Sequence, residues 1–283
     1  MPRGLGERAG ERRRPLAASR KVRTLMGASE RWHQALESWA IPAEIIGQAP
    51  ESPWIHPPVL FDAPALAVAS PSHDRAREAL GEESSVLDVG CGGGAAAFAL
   101  VPEVRTVVGV DQQAEMLAMF ERNAAARGLD FRTIQGDWPQ VAEATPIADV
   151  ATAHHVVYNV GDLDPFLTAL SDHARHRVVL EMPTRHPLSN LNPAWHHFWG
   201  LDRPIGPTPD DLMEVLAELG YSASQEQWRA PLRAGVNAEQ VAHFVRIRLC
   251  LPAAREDEVR EFIDLQPAAN GRELATIWWD VTH

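Results

Sequence analysis

From residue 84 onward, short runs of apolar residues alternate with longer stretches in which apolar positions recur every three or four residues. The runs SSVLDV (84–89), RTVVGV (105–110), LDFRTI (129–134), IADVATA (147–153) and HRVVLEM (176–182) contain many β-branched side chains and predict strands. Helices are expected between them over 112–127, 164–174 and 209–219. Gly128 and Gly220 supply the positive φ at which helices commonly stop, and Thr208 or Asp210 can cap the last of the three. Strand alternating with helix is the pattern of a parallel sheet with helices on both faces, an α/β fold. YSASQEQWR (221–229) and LATIWWDV (274–281) bring the expected sheet to seven strands, with a helical insertion at about 236–268 ahead of the last. Trp278 and Trp279 should point to opposite faces, one into the core and the other towards the inserted helices.

The N-terminal third follows a different pattern. Residues 1–25 have few large apolar side chains and no period, so they read as a disordered leader ahead of a more protein-like start at Met26. Ser29 can cap a helix over about 30–40 whose Trp32, Leu36 and Trp39 form one apolar stripe. The proline-rich stretch 49–58 reads as an ordered loop pinned by Trp54 and Phe61. Residues 26–83 are therefore either a packing layer or a lid over a site in the unit formed by 84–283.

Composition narrows the classes. Hydrophobic residues at 45% and charged residues at 23% are globular values, and no apolar run is long enough to span a membrane. Residues 1–25 hold eight basic side chains against two acidic ones, which leaves 18 basic against 36 acidic in the remainder. A body that negative argues against nucleic acid as partner and for a small molecule. Cys91 and Cys250 form neither a disulfide framework nor a zinc cluster, which fits a cytoplasmic protein.

The chemistry concentrates where the first strand runs into glycines, VLDVGCGGGA (86–95). Gly90, Gly92 and Gly94 let backbone amides approach a ligand closely at the carboxyl edge of the sheet. Gly90, Gly92 and Ala95 also satisfy the loose dinucleotide pattern G-x-G-x-x-A, so an NAD(P)-dependent oxidoreductase is the first alternative. Three features favour another ligand. Asp88 stands where a carboxylate can meet an ammonium group or loop amides. Asp111, 21 residues after Gly90, ends the second strand where it can grip both hydroxyls of a ribose. The third strand runs into Gly136-Asp137-Trp138, an acceptor for an exocyclic amine with a ring or backbone edge for the base.

With these motifs the sequence resembles the class I S-adenosylmethionine-dependent methyltransferases over roughly residues 70–230. The resemblance implies a Rossmann-like sheet and S-adenosylmethionine as cofactor. It implies that Asp88, Gly90, Gly92 and Gly94 line the methionine portion, Asp111 and Gln112 the ribose, and Asp137 and Trp138 the adenine. Met116 matches the family's apolar contact beneath the base, and Cys91 has a packing role in the loop. A protein that binds the cofactor without catalysis, as a scaffold, is the second alternative.

Beyond the fourth strand, His154 and His155 are the candidates for a general base, and alternation of side chains lets at most one of them face the ligand. Glu181 ends the fifth strand on the acceptor side. The loop 185–204 carries Trp195 and His196, candidates for the acceptor pocket, among other aromatics that dock it on the core. The spacing of these histidines supports no metal site. The expected activity is O- or N-methylation of a small, partly apolar acceptor.

Overall fold

A computed structural model describes residues 26–54, 69–231, 238–266 and 271–282. Seven strands form one sheet: β1 (Ser85–Val89), β2 (Thr106–Asp111), β3 (Asp130–Gln135), β4 (Ala148–His154), β5 (Ala174–Pro183), β6 (Ser224–Ala230) and β7 (Arg272–Asp280). Their order is β3-β2-β1-β4-β5-β7-β6, and β7 runs antiparallel to both neighbours. The order reverses between β1 and β4, and ligands of open α/β sheets bind outside the carboxyl ends of strands at such a reversal. Apart from a single turn at Ala43–Ile46, the α-helices among the described residues are α1 (Ala28–Glu37), α2 (Pro71–Arg77), α3 (Ala95–Phe98), α4 (Ala114–Ala126), α5 (Leu163–Asp172), α6 (Asn192–Trp199), α7 (Pro209–Glu218), α8 (Ala238–Arg248) and α9 (Glu256–Asp264).

Alternation along the strands divides the core. Leu87, Ala151, Leu180 and Trp279 face one side with α1, α5 and α7, while Val86, Val107, Val150 and Val179 face the other with α2, α3 and α4. A third cluster joins Ile45, Trp195, Leu249 and Val259, so the inserted helices pack with α6 and the N-terminal segment.

Several expectations need correction. Gly27, not Ser29, caps α1; Ser29 lies in its first turn and donates to Asp164. Trp32 is inserted in the main core, with its indole N–H on the Val160 carbonyl at 2.8 Å, so α1 is anchored rather than loosely laid over the sheet. Trp54 is 48% exposed. Phe61 and the leader 1–25 lie outside the described residues. The run 185–204 is not a plain loop: Pro193 occupies the first turn of α6, and Gly200, at φ 62°, ends it. Trp279 reaches the core, but Trp278 meets Arg75 of α2 at 4.6 Å rather than the inserted helices. Thr208 caps α7 in a capping box with Asp211.

Candidate active site

The glycine loop is built by left-handed backbone at Gly90, Gly92 and Gly94 (φ 68°, 51° and 89°). The amides of Gly90 and Cys91 donate to the Val110 carbonyl at 2.8 and 3.1 Å, joining the loop to the end of β2. A Cβ on Gly90 would stand 2.5 Å from Val156 Cγ2, so this glycine is what lets the loop and the segment after β4 close on each other. Asp111 completes the cradle. Its Oδ2 accepts from the Gly92 amide and its Oδ1 from the Gln113 amide, both at 3.0 Å, and each oxygen keeps a further lone pair. Gln112 is exposed beside it.

Asp88 lies beneath this loop rather than at its surface. It is 1% exposed; Oδ2 accepts from the Ala97 amide of α3 at 3.4 Å and Oδ1 from Thr152 Oγ1 at 3.2 Å. Burial, reinforced by the charge of Asp111, pushes its pKa up to about 7 against the pull of those hydrogen bonds. The folded chain therefore keeps a proton that the unfolded chain has lost, and the stability Asp88 contributes disappears as pH rises from the unfolded value of 3.8 through about 7. Asp88→Asn should flatten the fall in thermal midpoint over that range and stabilise the ligand-free protein at about pH 8. A variant no more stable than the parent there would contradict this.

The remaining cofactor candidates divide by where their side chains point. Cys91 packs in the second core cluster, where burial raises its thiol pKa first and the nearby carboxylates add to it, so it is a filler and not a nucleophile. Met116 is buried on α4. Asp137 is exposed at the end of β3. The Trp138 ring is turned away: its indole donates to the Phe166 carbonyl at 3.2 Å and its edge meets His173 at 5.1 Å. Only the backbone of Trp138 remains for a base.

On the acceptor side, β4 ends at His154, which lies opposite Glu181 of β5 in register. The expected opposition of His154 and His155 fails because His155 lies past the strand at φ 61°, which swings its ring back across the sheet. Its Nε2 stands 3.1 Å from Glu181 Oε1, and its amide donates to the Glu181 carbonyl at 2.7 Å. His154 stacks on His73 at 5.8 Å, and its Nε2 is buried with no hydrogen-bond partner among the described residues. Burial, with the charges of His73 and His155, pulls His154 down to about 4 against the attraction of Glu181, so it is neutral at physiological pH. For Glu181, burial acts upwards but is outweighed by the His155 hydrogen bond, the attraction either histidine exerts when protonated, and Ser72, which shift it well below the usual carboxylate range.

Trp195 and His196 do not join this group. Trp195 is buried in the third cluster, under the Arg203 guanidinium at 5.2 Å, and His196 projects to solvent, paired with Asp202 at 2.9 Å. Elsewhere after β4, Tyr158 stands edge-on to His186, which stacks on Trp39 at 4.1 Å. Ser72, whose hydroxyl reaches Glu181, was missed by sequence reasoning. The Ser70-Pro71 pair that caps and starts α2 was the available signal.

Residues 86–176 match the family described as "Methyltransferase domain". A ubiquinone biosynthesis O-methyltransferase from Rhizobium rhizogenes is 27% identical over 174 residues, covering 54% of this chain and 69% of that protein. One from Brucella anthropi is 33% identical over 87 residues, covering 31% of this chain and 35% of that protein. The crystal structure of the YcgJ protein from Bacillus subtilis superposes with a TM-score of 0.51 at 18% identity, over 75% of this chain and 98% of that one, which establishes a shared fold.

Proposed function

Since the chain belongs to the class I S-adenosylmethionine-dependent methyltransferases, we propose that it methylates a hydroxyl oxygen of a small, partly apolar acceptor, with His155 as the general base. The observation that carries this reading is the His155–Glu181 pair at 3.1 Å, just past the end of β4, where the next residue, Val156, abuts Gly90. The relatives named as O-methyltransferases support oxygen as the acceptor atom.

The residues present suit the cofactor. The three left-handed glycines give the loop a tight turn closed on Val156 and Phe98, and Asp111 keeps free lone pairs beside it. In this reading the loop takes the methionine portion, Asp111 and Gln112 the ribose, and Asp137 with the Trp138 backbone the adenine, while Asp88 supports the loop from below. When bound, S-adenosylmethionine supplies a methyl carbon already activated by a positively charged sulfur. Alignment of the acceptor can then supply about 7–11 kcal/mol of the barrier reduction, and a base is needed only for the hydroxyl proton. His155 is suited to that work: its side chain is 26% exposed, whereas His154 is enclosed and neutral.

Trp39 and Tyr158 both pack on His186, and in this reading the three wall the acceptor side, so that residues 26–54 serve it as well as the core. No helix among the described residues is long and apolar enough to cross a membrane. We place the protein in the cytoplasm, where its two buried cysteines stay as free thiols. Incubation with labelled S-adenosylmethionine and a small-molecule extract is expected to yield a product bearing the label on oxygen. Label on nitrogen or carbon, or no product with any extract, would refute the proposal.

A further inference from the structure

Ser72, Thr276 and Trp228 come from three separated parts of the chain, all outside residues 86–176, and converge behind Glu181. Ser72 Oγ donates to Glu181 Oε2 at 2.7 Å; Ser72 Oγ and Thr276 Oγ1 are 2.6 Å apart; Trp228 Nε1 donates to Thr276 Oγ1 at 3.0 Å. Ser72 and Thr276 are completely buried and Glu181 is 7% exposed, so these groups satisfy one another's hydrogen bonds.

The direction of every proton follows. An indole N–H can only donate and a carboxylate can only accept. Trp228 therefore donates to Thr276, Thr276 to Ser72, and Ser72 to Glu181. Register reinforces the order, since Thr276 lies directly opposite Glu181 across β5 and β7, and Ser72 descends on both from the capped start of α2. Oε2 is thus committed to Ser72, and Oε1 is left facing His155 Nε2. An ionised carboxylate oxygen can only accept, so the nitrogen facing Oε1 carries the proton, which leaves His155 Nδ1 as the free lone pair; no hydrogen bond to it occurs among the described residues.

We propose that Ser72, backed by Thr276 and Trp228, is a positioning residue that orients the Glu181 carboxylate and thereby fixes neutral His155 as its Nε2–H tautomer, with Nδ1 presented to the acceptor. The inference rests on the functional reading above for its catalytic meaning: the acceptor O–H proton passes to Nδ1 and leaves its electron pair on oxygen, the O–CH3 bond forms as the S–CH3 bond breaks with its pair returning to sulfur, and Glu181 stabilises the imidazolium. Ser72, on a helix outside the family-matching segment, thus acts on the reaction only through two other side chains.

Nitrogen NMR of imidazole-labelled protein tests this without acceptor or cofactor. The parent is expected to show His155 as the Nε2–H tautomer. Ser72→Ala and Thr276→Val should each shift the tautomer ratio about tenfold towards Nδ1–H, the scale of a lost hydrogen bond to a charged group, and Thr276→Ser should restore the parent spectrum. Two variants guard against one failing to fold, and circular dichroism reports folding for each. The parent appearing as the Nδ1–H tautomer, or both folded variants keeping the parent ratio, would overturn the proposal. Methyl transfer that survives loss of His155 would instead overturn the catalytic reading while leaving the tautomer result standing.

Discussion

Replacing His155 with asparagine is expected to slow methyl transfer by about a hundredfold to ten-thousandfold, the usual range for removing a positioned general base, while leaving S-adenosylhomocysteine binding close to that of the parent. Asparagine is the informative substitution because His155 has a φ of 61°, and asparagine tolerates the left-handed region better than other non-glycine residues. Alanine would mix loss of the base with backbone strain. The expected split, with rate lost and cofactor affinity kept, follows from position: the imidazole faces Glu181 at 3.1 Å, whereas Asp111 bonds the loop amides on the far side of β1. A variant that retained the parent rate would remove His155 from the chemistry.

The largest effect on the folded chain is expected from Gly94→Ala. A Cβ there would stand 2.0 Å from Phe98 Cε2, at a φ of 89° that side chains rarely adopt. The ring cannot simply turn aside, because Phe98 is buried, packs on Phe120 at 4.8 Å and lies under the Arg127 guanidinium at 4.9 Å. Backbone strain of about 1–3 kcal/mol and overpacking of about 1–3 kcal/mol act together at the start of α3, the helix whose Ala97 amide bonds Asp88. The loop should lose both stability and cofactor binding. Gly128→Ala is the control: its φ of 68° carries the same kind of strain, but an added Cβ meets nothing within 4 Å. Thermal unfolding of the two variants should separate the clash from the strain, and equal midpoints would contradict the packing account.

The sheet was legible in the sequence because a strand buried on both faces leaves a short, dense apolar run, as in β1 and β2. The cradle was legible for a related reason: left-handed backbone needs glycine, and a turn at the end of β2 that bonds loop amides needs a short acceptor such as Asp111. What escaped was set by tertiary contacts. The period of α6 was hidden among prolines and aromatics. The Trp138 ring follows the Phe166 carbonyl and His173, neither of them near it in sequence. Strand alternation gave opposite directions for His154 and His155, yet one positive φ brought both towards Glu181. Ser72 and Glu181 are 109 residues apart, and only the docking of α2 on β5 and β7 joins them.

Isothermal titration with S-adenosylhomocysteine, run in parallel on the parent and on Asp111→Ala, bears most directly on the site as a whole. Binding by the parent, weakened in the variant by about 1.5–3 kcal/mol with the fold intact, is the result expected if the glycine loop and Asp111 form one nucleoside cradle. A parent that releases no heat of binding, or a variant that binds as tightly as the parent, would contradict it.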